Sequence, residues 1–279
     1  MSEQPNKLTF ALNHMAALKL DLPRLFALAK SLGIDAVEIR NDVAGKPILD
    51  GTSPAVVRRM AEDAGVAIIS INALQRFNQW TSERREEALL LADYAQHCCA
   101  QALVLVPTND GSGRANGERQ QNLRTALTAL KPILSDRGLL GLVEPLGFEI
   151  CSLRSKREAA EAIAGLGANP GFKLVHDTFH HHLGGEPALF PELTGLVHIS
   201  GVEAGGVPIA ELRDPHRVLV GPGDTIGNLA QISGLRTGGY QGLFSFEPFA
   251  SEVCNREAPR AGIAASMDFI RAQFARAAA

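Results

Sequence analysis

The sequence predicts a single-domain (β/α)₈ barrel, the TIM-barrel fold, over residues 1–279. Short apolar segments bounded by turn residues alternate eight times with longer helical patterns, as expected for repeated βα units. The length of 279 residues also suits this fold, which commonly takes about 250 residues as one domain. No Pro/Gly/Ser-rich linker divides the chain, so we expect one domain.

The predicted strands are mostly apolar until their last residue, which is typical of parallel strands buried on both faces. They are Leu8–Asn13, Ala36–Arg40, Ala67–Asn72, Ala102–Pro107, Leu140–Glu144, Phe172–Asp177, Leu196–Ser200 and Leu243–Glu247. An open doubly wound sheet is the alternative, but that fold usually stops near about six strands. It would also place a GxGxxG fingerprint after the first strand, and none is present there.

Helical patterns fill the connections between the predicted strands. The first has Asp21 as its N-cap, Pro23 in its first turn and Gly33 at its end, and these residue types favour the start and stop of a helix. The predicted helices are Leu22–Ala29, Pro54–Met60, Ser82–His97, Gly117–Leu134, Ser155–Leu166 and Pro259–Ala275. The sixth and seventh connections carry weaker helical patterns, near Glu186–Leu193 and Thr225–Ile232.

Composition narrows the class of protein. A net charge of −3 gives no general attraction to nucleic acid or to an anionic membrane surface. No apolar run approaches the roughly 18 residues of a membrane span, and the polar N-terminus does not resemble a signal peptide. The cysteines Cys98, Cys99, Cys151 and Cys254 lack CxxC spacing, which favours buried free thiols in a reducing compartment. We therefore expect a cytoplasmic protein without nucleic-acid or membrane partners, and the sequence is compatible with a homo-oligomer.

Polar residues lie at the C-terminal ends of four consecutive predicted strands, where this fold carries its active site. They are Glu144, Asp177, His198 and Glu247. Each alone could be a helix N-cap or a solvated loop residue. Together they crowd carboxylates at one rim with no cation among them, and such carboxylates repel one another. A divalent cation removes this cost and accepts carboxylate and imidazole ligands. The sequence therefore predicts one divalent metal ion, Mn²⁺, Zn²⁺, Co²⁺ or Mg²⁺.

Side-chain alternation along the strands assigns the neighbouring residues. If the last residue of the sixth strand faces the barrel axis, His176 faces the helix layer and packs there. Glu38 and Arg40 share one parity and are expected to face the barrel mouth, with a surface ion pair as the alternative. His14 and Asn72 lie at or just after the ends of strands one and three, within reach of a ligand.

The order Glu, Asp, His, Glu on strands five to eight resembles the metal set of the xylose isomerase-like barrel superfamily of sugar isomerases and epimerases. The resemblance extends over nearly the whole chain and implies that these four residues bind the metal. Segment 177–180 is similar to the family's Asp-x-x-His, which implies that His180 contacts the substrate. Arg217 precedes a Pro-Gly-rich loop, as does the family arginine that grips a substrate oxygen.

Five segments resemble the bacterial inosose (2-keto-myo-inositol) isomerases of inositol catabolism. They are Phe10–Met15, Val37–Asp42, Val143–Phe148, His176–His182 and Phe244–Phe249. The resemblance implies a small polyol or keto-sugar substrate. A metal-held α-hydroxyketone would lose a proton and form an enediolate, with Glu144 and Glu247 as the general base and acid. Trp80 is expected either to cover the substrate ring or to pack in the core.

Other functions remain open on the same barrel. An inosose dehydratase would use the same metal and form the same enediolate. A hydroxypyruvate isomerase or a ketose 3-epimerase would use the same metal-binding residues at the barrel mouth. Ketose 3-epimerases carry a second Glu six positions after the first metal Glu, where this chain has Ile150, with Glu149 one residue early. An enzyme similar to endonuclease IV would need more ligands and a basic face. A non-catalytic sugar-binding barrel would leave the paired glutamates without a use.

Overall fold

The computed structural model describes residues 8–43, 45–46, 48, 50–168, 170–203 and 205–276. Within them, eight parallel strands pair in chain order, and β8 returns to β1 to close a barrel. The strands are β1 (Phe10–Asn13), β2 (Ala36–Arg40), β3 (Ala67–Gln75), β4 (Ala102–Val106), β5 (Leu140–Val143), β6 (Phe172–Asp177), β7 (Thr194–Ile199) and β8 (Phe244–Phe246). The closed barrel confirms the predicted fold class. The predicted domain limits at residues 1 and 279 lie outside the described residues.

Helices follow the strands and form the outer layer. They are α1 (Leu22–Ser31), α2 (Pro54–Ala64), α3 (Ser82–His97), α4 (Glu118–Ser135), α5 (Lys156–Ala164), α6 (Thr178–Gly184), α7 (Asn228–Thr237), α8 (Ser251–Cys254) and α9 (Arg260–Arg276). The predicted cap of α1 is present, because the Asp21 carboxylate accepts a hydrogen bond of 3.0 Å from the Arg24 backbone N–H. Short 3₁₀ turns cover His14–Ala17, Ile209–Glu211 and Asp214–His216.

The sixth connection differs from the prediction. Helix α6 follows β6 with no intervening loop, whereas residues 186–193 contain no helix. Asp177 explains the early start, because its carboxylate accepts a hydrogen bond of 2.9 Å from the His180 backbone N–H and so caps α6. Pro187 and Pro191 disfavour a helix in the predicted segment, since proline lacks the backbone donor that a helix interior needs.

Three further elements have boundaries that differ from the prediction by three residues or more. Helix α2 continues four residues past Met60, to Ala64, and helix α7 shares residues 228–232 with the predicted segment 225–232 and continues to Thr237. Strand β3 continues three residues past Asn72, to Gln75. The predicted and observed ends of the other strands differ by two residues at most. The extension of β3 matters most, because it carries side chains of this strand up to the mouth of the barrel.

The barrel interior is filled below its mouth by small and branched side chains, here called the interior cluster. It comprises Ala11, Ala36, Ile69, Ala73, Ala102, Val104, Leu142, Val175 and Leu196. Leu142, Val175 and Leu196 each lie two residues before a member of the predicted metal set. Because strand side chains alternate with a period of two, those polar residues also point inward, directly above the cluster.

The cysteines agree with the prediction except at one position. All four are free thiols, and Cys98, Cys151 and Cys254 are buried. Cys99 is exposed, so the expectation of burial is wrong there. It lies in the turn that follows α3, with a positive φ of 60°. Among the described residues, no helix has the length and apolar character needed to cross a membrane.

A buried lysine lies between α5 and the barrel. Lys156 is only 5% exposed, and its Nζ lies 2.8 Å from Nδ1 of His176. Nε2 of His176 lies 2.9 Å from Oε1 of Gln231 on α7. His176 therefore faces the helix layer, as the alternation predicts, but it is held there by hydrogen bonds rather than by apolar packing alone.

Burial of Lys156 predicts a pH-dependent stability. Burial lowers the pKa of Lys156 from 10.5 to about 7, so between these pH values the unfolded chain binds more protons than the folded chain. The free energy of unfolding must then rise with pH over this window. We expect wild type to gain about 2 kcal/mol relative to Lys156→Met between pH 7 and pH 9, measured by urea unfolding. The exposed Lys173 provides the control variant, Lys173→Met, and an equal slope in wild type and Lys156→Met would contradict the prediction.

Candidate active site

Four side chains from strands β5 to β8 meet at the C-terminal end of the barrel. Glu144 and Glu247 directly follow β5 and β8, while Asp177 and His198 lie near the ends of β6 and β7. One ligand atom from each side chain lies within 4.8 Å of the others. Nδ1 of His198 lies 3.0 Å from Oε1 of Glu144 and 3.1 Å from Oε2 of Glu247. The structure thus brings the predicted metal set together.

This donor set fits a divalent cation. Three carboxylates and one imidazole nitrogen converge on one point, and each of the four residues is at most 4% exposed. Such a mixture of oxygen and imidazole donors suits Mn²⁺, Zn²⁺, Co²⁺ or Mg²⁺. Among the residues that the structure describes, this is the one group of at least three His, Cys, Asp or Glu side chains close enough to share an ion.

Two guanidinium groups lie on the acidic cluster, so the expectation that it contains no cation is wrong. Arg217 places NH2 at 2.5 Å from Oδ2 of Asp177 and 3.1 Å from Oε2 of Glu247. NH1 of Arg40 lies 2.9 Å from Oε1 of Glu247. With Glu38, the buried groups comprise four carboxylates and two guanidiniums. The two guanidiniums therefore offset part of the negative charge of the cluster.

Glu38 lies below the cluster instead of at the mouth. It is fully buried, its Oε2 lies 3.2 Å from Nε2 of His198, and it accepts hydrogen bonds from the hydroxyls of Ser70 and Ser245. It does not line the cavity described below, and Arg40 pairs with Asp42 and Glu247 instead of with Glu38. With a metal on Nδ1 of His198, Nε2–H would donate to Glu38, and Glu38 would then set the tautomer and the ring orientation.

Removing the charge of Glu38 should weaken metal binding. In Glu38→Gln, the carboxylate that orients His198 and increases the basicity of its ring is lost, while the side-chain volume is kept. We expect the Kd for Mn²⁺ to rise by about 10–100-fold, measured by isothermal titration of the metal-free protein. Asp42→Asn is the matched control, because Asp42 contacts Arg40 but is exposed and does not touch His198. An unchanged Kd in Glu38→Gln would contradict this role.

A cavity of about 330 Å³ opens above the cluster. Its wall contains six of the predicted site residues: Arg40, Asn72, Glu144, His180, Arg217 and Glu247. His180 is buried, and its Nδ1 has no hydrogen-bond partner. Since a buried polar atom without a partner is costly, this nitrogen is free to accept from or donate to a ligand in the cavity.

Two predicted site residues lie away from this cavity. Nε2 of His14 lies 2.9 Å from the carbonyl oxygen of Leu20, and burial lowers the pKa of His14 to about 4. His14 is therefore a neutral buried histidine that ties two turns together. Trp80 is half-buried and packs against the main apolar core, which is the packing alternative given for it.

Sequence reasoning missed several wall residues. Gln75 and Arg76 line the cavity because β3 extends beyond its predicted end. Phe249 lies beneath two guanidiniums, with its ring centroid 4.4 Å from Arg217 and 5.6 Å from Arg40. Its position two residues after Glu247 was the available signal, since residues directly after a barrel strand line the mouth.

The pKa values of the two glutamates in the cluster are shifted in opposite directions. Burial raises the pKa of Glu144. Burial acts in the same direction on Glu247, but His198, Arg217 and Arg40 outweigh it and hold the pKa of Glu247 well below its usual range. The two pKa values are therefore shifted in opposite directions, which is the pattern of an acid and base pair.

The closed parallel barrel and its carboxylate-histidine rim define a barrel protein with a candidate metal centre at the C-terminal mouth. The chain belongs to the xylose isomerase-like TIM barrel family, whose model matches residues 26–273.

Solved structures give the same fold. The chain is 33% identical to a xylose isomerase domain-containing protein from Salmonella typhimurium, with a TM-score of 0.87 and 99% of each chain covered. It is 22% identical to an IolI protein with a bound zinc atom, with a TM-score of 0.84 over 96% of this chain and 99% of that one. An L-ribulose 3-epimerase is 15% identical, with a TM-score of 0.70 over 98% of this chain and 97% of that one. No curated protein matches the chain.

Proposed function

We propose that the protein is a divalent-metal-dependent isomerase that moves a carbonyl group between adjacent carbons of a cyclic polyol. The proposed substrate is 2-keto-myo-inositol and the product is its 1-keto isomer, in inositol catabolism. The observation that carries the reaction class is the pair Glu144 and Glu247, which face one cavity with pKa values shifted in opposite directions. Family membership and the names of the xylose isomerase and epimerase relatives support this class. The five similar segments support the substrate.

The metal would be held by the convergent donor set of Glu144, Asp177, His198 and Glu247. When bound, it supplies Lewis acidity to the carbonyl and hydroxyl oxygens of an α-hydroxyketone. Asp177 and Glu247 remain oriented for this task because Arg217 contacts both carboxylates.

The proton transfers fall to the two glutamates. Glu247 is ionised and removes the proton from the carbon that carries the hydroxyl group next to the ketone. Glu144, whose pKa is raised by burial, delivers a proton to the carbon that carried the ketone, while the hydroxyl proton passes between the two oxygens. Both carboxyl groups regain their starting protonation by exchange with solvent. The ketone and the alcohol thereby exchange places. The amide Nδ2 of Asn72 lies 3.3 Å from Oε1 of Glu247 and keeps that carboxylate aimed into the cavity.

The cavity wall orients the ring and limits water. His180 offers its unpartnered Nδ1 to a ring hydroxyl, and Arg217 faces the same space. The rings of Phe148 and Phe249 also line the cavity and exclude solvent from one side. A volume of about 330 Å³ lies at the small end of ligand pockets, which suits a single six-membered ring.

Proton exchange with solvent tests this function. We expect metal-loaded protein incubated with 2-keto-myo-inositol in D₂O to give the 1-keto isomer, with deuterium on the carbon α to the carbonyl, observed by NMR. Product free of solvent deuterium would indicate a hydride shift and overturn the two-glutamate mechanism. A diketone absorbing in the near ultraviolet would identify a dehydratase. Reaction with ketohexoses but not with inosose would show that the proposed substrate is wrong.

A further inference from the structure

Beside the cavity lies a larger depression of about 490 Å³, here called the side groove. Its wall includes Asn109, Phe148, Ile150, Leu183, Ile209 and Asp214. Three of these, Asn109, Phe148 and Asp214, also line the cavity. The cavity and the side groove are therefore adjacent, with these three residues at their shared edge.

The side groove presents apolar side chains to solvent. Ile150 is 49% exposed and Ile209 is 52% exposed. Among the described residues, only one other large hydrophobic side chain is exposed, Leu90 on α3. A single exposed apolar residue is ordinary, but apolar residues gathered around a depression are typical of a binding surface. Two of the three exposed side chains lie together next to the candidate active site.

Phe148 forms the fixed partition between the two spaces. Its ring lies edge-on to His180, with centroids 5.1 Å apart, and to Phe179, at 6.1 Å. Asn109, at the same junction, has a buried Oδ1 without a hydrogen-bond partner. An acceptor of this kind can receive a hydroxyl of the ring, which would place the ring in the cavity and direct its substituent past Phe148.

The cations of the side groove are already engaged. The guanidinium of Arg213 donates to the carbonyl oxygens of Ala210 and Leu212, and that of Arg154 donates to the carbonyl oxygens of Gly147 and Leu183. A phosphate or carboxylate on the substrate would have to compete with these bonds, and it would lie beside the carboxyl groups of Glu149 and Asp214, which line the same groove. The surface instead matches an uncharged apolar group.

We propose that the side groove binds a neutral apolar or aromatic substituent of the substrate, so that the substrate class includes ring ketones carrying an alkyl or aryl ether. This assignment rests on the proposed function, because the substituent belongs to a ring seated in the same cavity. It adds that Ile150 and Ile209 are specificity residues, which contact the part of the substrate remote from the reacting carbons.

The test uses unreactive ligand pairs, so that it does not depend on turnover. We expect O-benzyl-myo-inositol to bind the metal-loaded protein at least about 10-fold more tightly than myo-inositol, measured by isothermal titration. In Ile150→Asp and Ile209→Asp this advantage should fall to near unity, while the Kd of myo-inositol stays the same. Leu90→Asp is the matched control, because Leu90 is exposed elsewhere, and it should keep the full advantage. Thermal unfolding checks that each variant is folded.

A second pair, methyl and phenyl β-D-glucopyranoside, separates the two proposals. One outcome is that neither inositol ligand binds, while phenyl glucoside binds better than methyl glucoside and loses this advantage in Ile209→Asp. That result would support the side-groove proposal and contradict the proposed inositol substrate. The side-groove proposal is wrong if the aromatic member of neither pair has an advantage, or if the advantage survives both isoleucine substitutions. It is also wrong if Ile209→Asp dissociates an oligomer in sedimentation while the aromatic ligands show no preference, because the surface would then join two copies of the chain.

Discussion

Solvent deuterium incorporation into 2-keto-myo-inositol is expected to fall by about 1,000-fold in Glu247→Gln, the size of effect attributed to a general base. Glutamine keeps the volume of the side chain and still accepts a hydrogen bond from NH1 of Arg40, so the wall of the cavity remains in place. What it lacks is the ionised oxygen that takes the proton. Glu144→Gln should cause a similar loss, because an amide cannot deliver a proton to carbon.

Both glutamates are also candidate ligands, so the measurement must separate the two roles. Rates are therefore compared at saturating Mn²⁺, after the Kd of each variant has been determined. The exposed Glu252 on α8 provides the control, and Glu252→Gln should exchange at the wild-type rate. If Glu247→Gln exchanges at half the wild-type rate or more under these conditions, Glu247 is not the general base.

Loss of the metal is the expected result of Asp177→Ala. Elemental analysis should find about one equivalent of divalent metal per wild-type chain and almost none in the variant after dialysis. The substitution removes one of four ligands, and it also leaves the Arg217 guanidinium without its 2.5 Å carboxylate partner. An unbalanced positive charge beside the site opposes binding of a cation.

Asp177 also caps helix α6, and a second variant separates the cap from the ligand. Asparagine is as good an N-cap as aspartate, so Asp177→Asn should keep helix α6 capped and still bind metal more weakly. Alanine at Cys98 and Cys99 should leave the metal content unchanged. Wild-type metal content in Asp177→Ala would show that the rim is not the metal site.

The fold and the convergence of the rim residues could be predicted because both depend on local periodicity. Eight apolar segments define eight buried parallel strands, and a period of two places Glu144, Asp177 and His198 on the inward face above apolar neighbours. Alternation also placed His176 on the outer face, where the structure has it.

The depth of a side chain within the barrel, and contacts between residues far apart in the chain, could not be predicted in this way. Alternation shows that Glu38 faces inward, but not that it lies beneath His198 instead of in the cavity. Arg217 meets Asp177 across 40 residues of chain, and Arg40 meets Glu247 across 207, and no local pattern reports such contacts. The path of a turn decided the position of His14, whose ring turns to the carbonyl oxygen of Leu20.

The interior cluster also bears on the order of events in turnover. Ala11, Ala36 and Ala102 belong to the buried side chains that fill the barrel below the rim, so among the described residues the interior is packed and the cavity opens at the mouth. Product must then leave through the same mouth of the barrel by which the next substrate enters. Substrate and product cannot occupy the cavity together, so we expect the product to be a purely competitive inhibitor with respect to substrate.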